Sequence, residues 1–100
     1  MIYSNFNDTE IRNKYIFAKI TRVKALTRFP EPMRVDDVIF GYMTFLPKIG
    51  NIITLAQEEK NGHRSIDIFT STVVKDIIQT DNIMTVSTEN SEYSIKILEN

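Results

Sequence analysis

Nearly a third of this chain is branched at Cβ: 15 Ile, 6 Val and 10 Thr make 31 residues in 100. Branching restricts χ1 against the preceding turn of a helix and packs well on a pleated surface. The best helix formers are scarce, with only 3 Ala and 4 Leu. An all-helical fold would need the opposite balance, so the sequence predicts a mainly β protein. The length fits one domain spanning residues 1–100, large enough to bury a core without staples. There is no cysteine, which excludes disulfides and thiolate metal sites, and the lone histidine excludes a histidine-rich metal cluster. No apolar run reaches the ~18 residues a membrane span needs. The opening MIYSNFNDTE lacks the basic-then-apolar order of a secretory leader. The expectation is a cytoplasmic protein.

Turn signals divide the chain into short strands. Asn7 through Glu10 has a capping-box pattern and predicts a short N-terminal helix over about 8–14. A first strand is expected from Tyr15 to Thr27. Ile16, Ala18 and Ile20 share one face, while Val23 and Ala25 continue the apolar set one position out of phase. A β-bulge near Thr21 would restore the register. Residues 28–37 carry Pro30 and Pro32 and no period, which makes a long loop. Further strands are expected over 38–46, with Gly41 marking a bulge or close backbone approach, and over 51–58. Asn61-Gly62 is the strongest hairpin signal. Beyond it come a strand over 64–71 with Ile66 and Ile68 on one face, a continuation over 72–79, and a last hairpin of 83–88 and 92–98. In the last arm Tyr93, Ile95 and Ile97 alternate with Glu92, Ser94 and Lys96, the former inward and the latter outward. Five to six antiparallel strands with a long loop after the first argue for a small SH3-like barrel. A Sm-like barrel, which also begins with a short helix, is the alternative.

Two stretches of the C-terminal half carry a resemblance. Thr70-Ser71-Thr72-Val73 lies within Phe69–Ile77, and Thr88-Glu89-Asn90-Ser91-Glu92-Tyr93 precedes the last strand. This pairing resembles small SH3-like β-barrel proteins of phages and mobile elements, over about residues 50–98. The shared residues are structural: Asn-Ser makes a turn and the tyrosine anchors a strand. The resemblance implies a phage or mobile-element origin and a host-interaction or anti-defence role, and it carries no catalytic residue across.

The sequence offers no enzyme signature. Gly41, Gly50 and Gly62 are too scattered for a phosphate loop. His63 follows Asn-Gly and belongs to a hairpin tip. The adjacent pairs Asp36-Asp37 and Glu58-Glu59 would point to opposite faces of a strand, so neither pair converges on one site. No cofactor, metal or catalytic residue is expected. The charge pattern is more informative. The net charge is −1, yet residues 12–34 hold seven cations against Glu31 alone. With the bulge near Thr21, Tyr15, Phe17 and Lys19 share an outer face with Arg22 and Lys24, beside Arg28 and Arg34 on the proline loop. Aromatic rings between cations can stack bases and hold phosphates. These seven residues form the expected binding face. The function expected from them is that of a non-enzymatic binding protein, an inhibitor capturing a host defence protein or a small anionic signalling nucleotide. A single-stranded nucleic-acid binder and a structural or assembly subunit are the alternatives. The acidic second half and the strand edges also allow a homo-oligomer.

Overall fold

The computed structural model describes residues 15–99, so the helix expected over 8–14 lies outside the described residues. Eight strands form within this span: β1 (Ile16–Ala25), β2 (Val38–Met43), β3 (Thr54–Lys60), β4 (His63–Arg64), β5 (Ile68–Thr70), β6 (Val74–Thr80), β7 (Ile83–Thr88) and β8 (Ser91–Glu99). All pair antiparallel in one open sheet of order β4-β3-β2-β1-β8-β7-β6, and β5 pairs with β3 as well. Among the described residues there is no helix. The mainly β expectation therefore holds over the described residues.

One face of the sheet makes the core. Ile20 sits opposite Ile39 on one side and Ile95 on the other, Ile95 opposite Met84, Val86 opposite Tyr93, and Leu55 opposite Phe69. All are buried, with Ala18, Met43, Ile53, Val74 and the loop residue Met33. Each such large side chain contributes about 1.5–3 kcal/mol by leaving water. The alternation in β8 is as expected: Tyr93 and Ile95 are buried, Ile97 packs partly against the core, and Lys96 is exposed, although Glu92 and Ser94 are half-buried. Asn61 and Gly62 are exposed at the β3–β4 turn with φ of 51° and 84°. Positive φ at both central positions is what Asn-Gly accommodates.

Gly41 is required by a close approach. A Cβ there would run into the backbone carbonyl of Ala56. At this point the β2–β3 register slips, with Phe40 opposite Glu59 but Gly41 opposite Gln57.

Three expectations need correction. The stretch 64–71 is broken into β4 and β5, because Ser65 turns back to the Glu58 carbonyl and the Asp67 carboxylate takes the Ile68 N–H. Ile66 is 89% exposed, Ile68 is exposed too, and the core residue here is Phe69. The second strand stops at Met43, leaving Phe45 82% exposed. The first-strand bulge lies at Val23 rather than near Thr21, since Arg22 pairs with Tyr93 and Lys24 with Glu92. Arg22 therefore follows Ala18 and Ile20 into the interior, while Val23 and Ala25 are exposed.

Candidate functional site

The solvent side of β1, β2 and β8 carries a band of rings and amines. Phe17 and Lys19 alternate with the buried Ala18 and Ile20 and so project outward. Phe17 lies opposite Tyr42, and Lys19 opposite Phe40. The Phe17 ring is 4.9 Å from Tyr42 and 6.4 Å from Phe40 between centroids, within the range of favourable aromatic pairing. Across its other edge β1 places Lys19 directly opposite Lys96. Like charges facing each other across an antiparallel pair cost stability. Among the described residues the one ion pair is Lys60–Asp37 at 3.8 Å, so none of them bridges to either lysine. Thr21, Ser94 and Thr85 continue the face as a row of hydroxyls.

Beside the rings lies a groove of about 700 Å³, lined by Phe17, Phe40, Gln57, Glu58, Glu59, Arg64, Ser65 and Ile66. Ser65 Oγ donates to Gln57 Oε1 at 2.9 Å, and the Gln57 N–H donates to the Asp67 carbonyl, which fixes the outer wall. Arg64 faces Glu59 across the hairpin. Among the described residues no group of three or more His, Asp or Glu side chains converges to hold a metal ion.

The structure divides the expected binding face. Tyr15, Phe17, Lys19 and Lys24 lie on or beside the outer side of β1, Lys24 opposite Glu92. Arg28 and Arg34 are exposed on the proline loop rather than on the sheet. Arg22 does not belong with them: it is 6% exposed. Its Nε donates to Ser91 Oγ at 2.9 Å, and its terminal nitrogens donate to the carbonyls of Met33 at 2.8 Å and Asn90 at 3.5 Å. Ser91 Oγ in turn donates to Glu31 at 3.3 Å. A buried guanidinium needs such acceptors to offset its lost hydration. Arg22 thereby ties the proline loop and the β7–β8 turn to the central strand.

The remaining motif residues serve this joint and a second one at the end of β5. Thr88 Oγ1 accepts from the N–H groups of Asn90 and Ser91 and closes the turn, and Thr27 Oγ1 donates to Asn90 Oδ1. Ser71 Oγ accepts from the Ile53 N–H and donates to the Thr72 carbonyl. At the far end of the loop, the Asp37 carboxylate accepts from Asn61 Nδ2 and from the Arg34 N–H, both at 2.9 Å. The Asn61 bond, then the Arg34 N–H, lower its pKa below 3.8 against a small opposing effect of burial. The Tyr93 hydroxyl is buried without a hydrogen-bond partner. Burial pushes its phenol above 10.0, the nearby Ser91 hydroxyl pulling the other way.

Phe40, Tyr42 and Lys96 complete the outer band and were not among the expected site residues. Phe40 and Tyr42 alternate with the buried Ile39 and Met43, which was the available signal. No family model, no curated protein and no solved structure matches this chain.

Proposed function

We propose that this chain is a non-enzymatic binding protein that holds a small anionic nucleotide on the outer face of β1, β2 and β8. The observation that carries the reading is the Lys19–Lys96 pair beside three packed rings. A fold that keeps two cations face to face recovers their repulsion when an anion lies between them. Planar rings next to that anion suit a base, which stacks while its phosphates meet the amines. A single-stranded nucleic acid is the second reading, because the hydroxyl row Thr21, Ser94 and Thr85 extends the face beyond what one nucleotide covers.

The reading keeps the SH3-like barrel of phage and mobile-element proteins, acting in the cytoplasm of a host cell. Three backbone bonds support closure of the sheet: Ser71 N–H to Ile53 O at 2.9 Å, Gly50 N–H to Val74 O at 2.9 Å and Val74 N–H to Asn51 O at 2.8 Å. They join the end of β5 and the start of β6 to the segment ahead of β3. Capture of a host protein would use a different surface, since Phe45, Leu46, Ile49 and Ile52 are exposed on the β2–β3 loop.

Calorimetric titration with ATP and with an eight-nucleotide single-stranded DNA tests the reading. Saturable binding that Lys19→Glu abolishes is expected. For the DNA, affinity falls with salt at a slope of about −0.7 per phosphate contacted. Binding that survives Lys19→Glu, or no binding of either ligand, removes the proposal.

A further inference from the structure

β6 is the last strand of the sheet, and half of its backbone has no partner among the described residues. The β6–β7 hairpin turns at Asp81-Asn82 with Thr80 opposite Ile83. In a two-residue hairpin that flanking pair exchanges both backbone bonds, and bonded and non-bonded pairs alternate from there. Thr80, Ile78 and Asp76 therefore direct their N–H and C=O groups to β7, whereas Ile77 and Gln79 direct theirs away from the sheet. Among the described residues the edge is closed only at its start, where Val74 bonds to Gly50 and Asn51. β6 contains no proline, and Lys75 is its one cation, so little guards the open part.

We propose that this edge pairs with its equivalent in a second copy of the chain, β6 to β6, antiparallel about a twofold axis. Backbone parity limits the register, because only residues directed outward can bond to residues directed outward. Placing Ile77 opposite the partner's Gln79 satisfies this twice by symmetry. The same register sets Ile78 against the partner's Ile78 in a non-bonded pair, where side chains lie closest. Ile78 is 62% exposed and shares its outward face with the exposed Ile83. It also brings Lys75, at the β6 bulge, towards the partner's Asp81 in the β6–β7 turn, again twice, which supplies charge complementarity. Shifting by two residues to oppose Ile77 with the partner's Ile77 loses this pair and puts Asp76 against the partner's Ile78. The pairing is made by the free backbone edge of β6, two strands from Lys96, and uses neither lysine nor the rings, so it stands independently of the nucleotide reading.

Light scattering and amide exchange of the full chain over a concentration series test the proposal. The expected mass doubles from 11.6 kDa as concentration rises. The Ile77 and Gln79 amides then exchange at least about tenfold more slowly, and the Ile78 amide, bonded to β7 in either state, does not change. Ile78→Lys restores 11.6 kDa at unchanged circular dichroism, and Lys75→Glu weakens the dimer. A chain that stays at 11.6 kDa up to about 1 mM overturns the proposal. So does a dimer whose Ile77 and Gln79 amides are indifferent to dilution. Should Ile78→Lys fail to fold, the exchange pattern of the unaltered chain still decides.

Discussion

Replacing Tyr93 by Phe removes one oxygen from the centre of the core, and the structure sets the sign of the effect. The side chain is wholly buried, its ring packed edge-on against Phe69 at 5.5 Å and 71°. Its hydroxyl makes no hydrogen bond of good geometry: the adjacent Ser91 hydroxyl is near enough to favour the ionised phenol, but it already accepts from Arg22 and donates to Glu31. Burying an unbonded hydroxyl costs about 1–3 kcal/mol. Phe keeps the ring contacts, so the substitution stabilises by about 1 kcal/mol, which for a domain this size raises Tm by roughly 4–8 °C. The pH dependence follows from the raised phenol pKa. The unfolded chain releases this proton near 10.0 while the folded chain retains it, so the parent loses stability as pH rises through and above 10.0. Tyr93→Phe removes that share of the loss. Urea melts on both sides of pH 10.0 measure both effects. A loss of about 1 kcal/mol or more at neutral pH would show that the hydroxyl is bonded and refute the reasoning. Tyr93→Ala, by contrast, deletes the ring and costs about 3–5 kcal/mol.

Other substitutions separate the two roles of the cations. Arg22→Ala leaves Ser91 Oγ and the Met33 and Asn90 carbonyls without their donor and costs about 3 kcal/mol or more, read by urea melts. Arg22→Glu does not fold, whereas Lys24→Gln stays within about 0.5 kcal/mol of the parent because Lys24 is exposed and the change brings no like charge against Glu92. Gly41→Ala forces a methyl into the Ala56 carbonyl and loses at least about 1–3 kcal/mol, visible as a lowered thermal midpoint. The lowered pKa of Asp37 makes its clasp fully stabilising above 3.8 and progressively lost as pH falls through the folded value. Asp37→Asn lowers stability at neutral pH and flattens its decline in acid, measured by denaturant melts across that range.

The sheet was legible because its signals are local. Period-two alternation marks β8, Asn61-Gly62 marks the tightest turn, and Gly41 marks the close approach to β3. What the sequence hid was non-local. Arg22 reads as one more surface cation until the Met33 and Asn90 carbonyls and Ser91, distant in sequence, are seen to surround it. That network decides where the bulge falls: moving it from near Thr21 to Val23 turns Arg22 inward opposite Tyr93, leaves Val23 in the bulge, and keeps Lys24 on the outer side opposite Glu92. Ile66 misled because an isoleucine in a loop looks the same as one in a strand. Within the candidate site, Phe17 and Lys19 were readable from β1 alone. Phe40, Tyr42 and Lys96 gain their meaning only from the strands they face.

The most direct measurement is NMR titration of the labelled full chain with ATP and, separately, the eight-nucleotide DNA. An outer-face site requires the largest saturable shifts at Phe17, Lys19, Phe40, Tyr42 and Lys96, with Arg28 and Arg34 little changed. Shifts centred on the proline loop, or none in the β1–β2–β8 band with either ligand, would contradict it.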